Sequence, residues 1–142
     1  MGAGEGGPTG TGHLGLVQAR GWAEVDQLHV LVARAMVLYY LLLGIWGLFL
    51  AVRRAEFDSA YRGALLIGLG LGFAQVLVGL VLVVLGTRPR DDLHYLYGLS
   101  VIVTLPLVHQ YLAGRRVPAP LAYGLASLFM MGLSLRGITT GG

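Results

Sequence analysis

The chain contains no cysteine. Disulfide staples, thiolate metal sites, CxxC redox chemistry and covalent CxxCH haem attachment are therefore excluded. Lysine is missing too, since all ten basic residues are arginine. Charge is scarce: Asp, Glu, Lys and Arg make up 12% of the 142 residues, about half the share of a soluble domain. What is present instead is apolar, with 56% hydrophobic residues and a mean hydropathy of +0.73. Such a composition excludes an ordinary soluble enzyme or a nucleic-acid module. The net charge of +3 reads as loop arginine on a membrane protein, not as a DNA-binding face.

A bilayer core about 30 Å thick needs about 20 mostly apolar residues per helix. Stretches at about 28–52, 61–85, 93–113 and 118–138 meet that length, the last opening on Pro118 and Pro120, which suit a first helical turn. The connections collect the charge: Arg53, Arg54, Glu56, Asp58 and Arg62, then Arg88, Arg90, Asp91 and Asp92, then Arg115 and Arg116. Because unpaired backbone is not tolerated in lipid, these stretches predict helices. Short connections make successive helices antiparallel. The expected fold is all-α, an integral membrane four-helix bundle over residues 28–138 with both termini on one side. Residues 1–27 form an N-terminal tail, disordered through Gly15 and interfacial from Gly21 to Gln27; residues 139–142 form a C-terminal tail. Counted over loop residues alone, Arg53, Arg54, Arg62, Arg115 and Arg116 against Arg20, Arg88 and Arg90 tilt the balance towards cytoplasmic loops one and three, while adding Arg34 and Arg136 near helix ends makes the two sides equal. On the loop count the termini lie outside, in a prokaryotic cytoplasmic membrane.

Polar residues and glycines carry the functional signal in such spans. On helix one the stripe through His29 continues through Ala33, Met36, Tyr40, Gly44 and Gly47. Helix two carries Gly68, Gly72, Gln75, Gly79 and Gly86 at matching spacing, and helix three carries His94, Gly98, Val101, Leu105 and His109. Helices one and three run in the same direction, so His29 and His94 fall at similar depth near one membrane face. His109 lies about 22 Å further on.

Two neutral imidazoles at one depth suit the axial positions of a b-type haem. Gly79, Gly86 and Gly98 would give the macrocycle clearance, and Arg34, Arg88, Arg90 and Arg136 stand on the side where propionates need cations. Each residue also has a plainer reading. A histidine at a helix end is often only interfacial, Arg34 can snorkel outward or pair with Asp91 or Asp92, and glycines pack helices. Gln75 suits an interhelical hydrogen bond. His109 suits a bond to Gln110, Tyr111 or a loop carbonyl, or else the lining of a path. Pro106 predicts a kink that Thr104 or Ser100 would re-satisfy.

The spans hold no deep Asp or Glu, and the chain has no HExxH, serine elbow or Walker loop. Proton-coupled export and membrane hydrolysis therefore have no visible machinery, and the reading leans away from an enzyme.

The order Asp26-Gln27-Leu28-His29, then Gln75-Val76-Leu77-Val78-Gly79, then His94 resembles one four-helix half of the haem A synthase family and, more loosely, b-type membrane cytochromes. The resemblance covers about residues 26 to 113. It implies axial haem ligation by His29 and His94, with Asp26 in the family's acidic position. Asp26 stands where the family carries Glu, and Val30 where it carries Arg. The leading expectation is one haem b used for electron transfer, in a subunit or assembly partner of a respiratory complex. The alternatives are a haem-free subunit packing through its glycine faces against itself or a larger membrane partner, and a small permease lined by Gln75 and His109.

Overall fold

The computed structural model describes residues 11–141, with side chains from Gly15 onward. It contains α1 (Thr11–Val52), α2 (Ser59–Val84), α3 (Leu93–Leu112) and α4 (Ala119–Gly141), and no strand among the described residues. All four helices are long and apolar enough to cross a membrane. Leu38, Leu42, Ile45, Leu66, Phe73, Leu77 and Phe129 point outward, as lipid contact requires. The protein is an all-α, four-helix integral membrane bundle.

The starts of α2, α3 and α4 fall within two residues of the predicted spans. The start of α1 does not. The expected tail is helical from Thr11. Residues 1–10 and 142, the rest of the two expected tails, lie outside the described residues. No proline interrupts Thr11–Val52, and Leu16, Val17, Gln18, Ala19 and Ala23 all tolerate a helix. The resulting 42-residue helix is about 63 Å long at 1.5 Å per residue. That is about twice the bilayer core, and the exposed stretch from Gly15 to Glu24 extends past the bundle.

Helix ends are set by local chemistry. Asp58 caps α2 by accepting the Tyr61 N–H at 2.8 Å. Gly86, at φ +93°, closes the same helix, with Gly86 N–H donating to Val83 O and Thr87 N–H to Leu82 O, a Schellman ending. The end of α1 repeats this pattern with Arg54 at φ +52° and bonds from Arg54 to Ala51 and Ala55 to Leu50. A left-handed non-glycine residue is strained by about 1–2 kcal/mol. Arg54→Gly is therefore expected to raise stability by about 1 kcal/mol, read as a higher unfolding midpoint in detergent.

Within α3, the hydroxyls of Ser100 and Thr104 donate to Leu96 O and Ser100 O. Neither serves the Ile102 carbonyl that Pro106 leaves without its helical partner, so the expected repair is not made.

The helices stand in a ring, α1–α2–α3–α4, with α1 and α3 on a diagonal. The pairing of α1 with α4 is the closest and that of α2 with α3 the loosest. Glycine explains the first: a Cβ on Gly124 would lie 2.9 Å from Leu48 N and 3.2 Å from Gly44 O, so the two backbones meet. The half of the bundle beyond Met36 is densely filled by Tyr40, Leu43, Tyr61, Leu65, Leu105, Tyr123 and Met130. Its tyrosines bond across helices, Tyr40 O–H donating to Gly68 O at 2.8 Å and Tyr61 O–H to Leu43 O at 3.2 Å. The other half, where α1 enters the bundle near Asp26 and α4 ends, is hollow.

Candidate functional site

The hollow end is a cavity of about 480 Å³, open on one side and lined by residues of all four helices, a size typical of small-molecule and cofactor sites. Its walls are mostly apolar, and Asp26, Arg34 and Arg88 add charge. His29 on α1 and His94 on α3 face each other across the diagonal, with ring centroids 6.0 Å apart and planes at 57°. A diagonal pair has interior space between its members, which adjacent helices in contact do not leave.

Each ring depends on a glycine. A Cβ on Gly79 would sit 3.3 Å from His29 Cε1, and one on Gly141 would sit 2.9 Å from His94 Cε1. His94 Nδ1–H donates to Gly137 O at 2.9 Å. A carbonyl only accepts, so this bond leaves the lone pair on Nε2. Gln75 Nε2–H donates to His29 O at 2.8 Å, tying α2 to α1 at the cavity wall.

Among the described residues three buried polar atoms have no partner: His29 Nδ1, Gln75 Oε1 and Ser134 Oγ. Unpaired buried polar atoms each cost about 1–3 kcal/mol, and these three sit together in the wall of one cavity.

The structure thus brings His29, His94, Gln75, Gly79, Gly98, Arg34 and Arg88 to one site. It leaves out others. Gly86 lines no part of the cavity, and its role is the left-handed turn that ends α2. Arg90 and Arg136 are exposed and lie off the cavity, because their positions turn them outward at the helix ends. His109 is at the opposite end, where its Nδ1 is hydrogen-bonded to Tyr123 Oη at 3.1 Å instead of to a local group. The α4 wall, with Ser134, Gly137 and Gly141, was not anticipated. Its only sequence signal is the i, i+3, i+7 spacing of these small residues on one face.

His109→Leu is expected to lower stability by about 1 kcal/mol, the worth of one hydrogen bond. Ligand binding in the cavity should be unchanged. Denaturation beside a binding titration checks both.

Compared with known proteins, the chain matches no family model, no curated protein and no solved structure. Its function rests on the site.

Proposed function

We propose that this small multi-pass membrane protein holds one b-type haem between His29 and His94 and serves electron transfer, as a subunit or assembly partner of a respiratory complex. Its proposed setting is a prokaryotic cytoplasmic membrane, with the site towards the outer face, following the arginine balance of the loops.

The observation that carries this reading is the histidine pair facing across the cavity. Metal–imidazole bonds are about 2.0 Å long and a ring nitrogen lies about 1 Å from its centroid, so two imidazoles whose centroids are about 6 Å apart would both be within reach of one metal. The observed 6.0 Å fits. Among the described residues no third His, Asp or Glu joins the pair. Two imidazoles are too few for a bare ion, which takes three or four protein ligands. They are the full protein complement for a metal whose equatorial positions a porphyrin fills. Gly79 and Gly98 keep the walls flat where a macrocycle would lie, and Arg34 and Arg88 supply cations for propionates.

When bound, haem supplies one-electron chemistry whose potential follows axial ligation and burial. The chain does the rest. The Gly137 carbonyl holds His94 in the tautomer that presents Nε2, and the mostly apolar walls would lie against the macrocycle.

The alternatives have less support. Gly44, Gly47, Gly68, Gly72 and Gly124 all face other residues of this chain, so these glycine faces are used inside the bundle and not offered to a partner. His109 does not line the cavity that Gln75 lines, and the dense core lies between them, which gives the permease reading less support.

The test is a hemin titration of the detergent-purified protein. One equivalent should bind with a low-spin Soret spectrum, and that low-spin character should be lost in both His29→Ala and His94→Ala. A protein that stays colourless, or a low-spin spectrum kept by either variant, would refute the ligand pair.

A further inference from the structure

The two histidines are held in different ways. His94 is fixed on two sides: its Nδ1–H donates to Gly137 O, and its ring fills the space above Gly141, where a Cβ would lie 2.9 Å from Cε1 and 3.1 Å from Nδ1. The loop before it is tied down as well, since Asp91 N–H donates to Thr140 O at 3.2 Å. The last turn of α4 thus cradles His94 from the side. An outer-shell carbonyl of this kind orients an imidazole and raises its basicity as a ligand.

His29 has no counterpart to this. Its Nδ1 is buried without a partner, and the nearest glycine, Gly79, leaves a looser 3.3 Å approach. The one cross-helix bond to this residue, from Gln75 Nε2, ends on the main-chain carbonyl and not on the ring. Turning the His94 side chain breaks a hydrogen bond. Turning the His29 side chain breaks none, and gives its orphaned nitrogen a chance to find a partner.

Resting on the haem reading above, we infer that the pair divides into an anchor and a gate. His94 is the permanent axial ligand. His29 is the exchangeable one, and its position admits a small neutral diatomic ligand. In that exchange the His29 imidazole leaves, the incoming lone pair takes its place, and no electron is transferred. The unpaired Gln75 Oε1 and Ser134 Oγ give the cavity polar capacity that the two rings do not use.

The experiment uses the full chain loaded with hemin in detergent. Haem loss to an excess of a haem-scavenging protein is timed for wild type, His29→Gly and His94→Gly, and the dithionite-reduced wild type is titrated with carbon monoxide. The expected result is loss from His94→Gly at least about tenfold faster than from wild type, the scale of effect seen even for outer-shell partners. His29→Gly should lose haem at least several-fold more slowly than His94→Gly and regain a low-spin spectrum with free imidazole. Carbon monoxide should shift the wild-type Soret band without releasing haem. Gly141→Ala provides a milder version should His94→Gly fail to fold: its methyl group displaces the His94 ring and should speed haem loss, whereas Gly70→Ala, off the cavity and with nothing within 4 Å of its missing Cβ, should not. Equal loss from the two histidine variants, faster loss from His29→Gly, or a ferrous wild type indifferent to carbon monoxide each overturns the division of roles while leaving haem binding standing. A wild type that takes up no hemin overturns the haem reading itself.

Discussion

A chain carrying His29→Ala and His94→Ala together is expected to bind hemin at least about 100-fold more weakly than wild type, beyond the tenfold-to-hundredfold effect of losing an outer-shell partner. Among the described residues the two rings are the only imidazoles lining the cavity, and no Cys exists to replace them. Met36 also lines the cavity but is buried in the core beneath it, and a lone thioether is a weak substitute for two imidazoles. The fold should survive, because His29 and His94 lie outside the dense core of Tyr40, Tyr61 and Met130. Far-ultraviolet circular dichroism and hemin titration on the same sample check the two halves of this expectation. Wild-type affinity in the double variant would place the haem elsewhere or reduce it to non-specific partition into detergent.

The largest stability effect is expected at the other end of the bundle. Gly124→Val should lower stability by about 3 kcal/mol, the upper part of the usual overpacking range. For a chain of this size that corresponds to a melting point lower by about 10 °C. A Cβ at this position would meet Leu48 N at 2.9 Å, Gly47 C at 3.1 Å and Gly44 O at 3.2 Å. All three are backbone atoms, so no side chain can turn aside and α1 must part from α4. Gly70→Ala is the matched control, since nothing lies within 4 Å of its missing Cβ. It should stabilise the helix by about 0.5–1 kcal/mol. Thermal unfolding of the two variants in one detergent checks the contrast.

These two sites show what a one-dimensional reading captures and what it does not. The spans α2, α3 and α4 were legible because crossing a bilayer demands a length of apolar chain, and that length is written directly in the residues. The start of α1 was not, because the helix runs on past Leu28 through residues with mixed polarity, where hydropathy carries no signal. His29 and His94 could be matched in depth from helix direction and rise alone. Their diagonal placement could not, since ring order depends on which helices pack closest, and Gly44, Gly47 and Gly124 decide that only in three dimensions.

The α4 wall was hidden for a different reason. The group that fixes His94 is the Gly137 main-chain carbonyl, and a carbonyl has the same sequence signature at every position. Gly86 illustrates the converse. A glycine in register with a small-residue stripe serves a positive φ at a helix end, and spacing cannot separate that use from clearance for a ligand. Arg34 and Arg88 reach the cavity while Arg90 and Arg136 do not, because the direction of a long side chain at a helix end depends on phase and on neighbours.

The most direct test of haem held between His29 and His94 is low-temperature electron paramagnetic resonance of the ferric, hemin-loaded wild type. The expected spectrum is that of low-spin iron with two imidazole ligands, changed to high-spin or lost in each single histidine variant. A high-spin wild type, or a low-spin signal that persists unchanged without either histidine, would contradict the assignment.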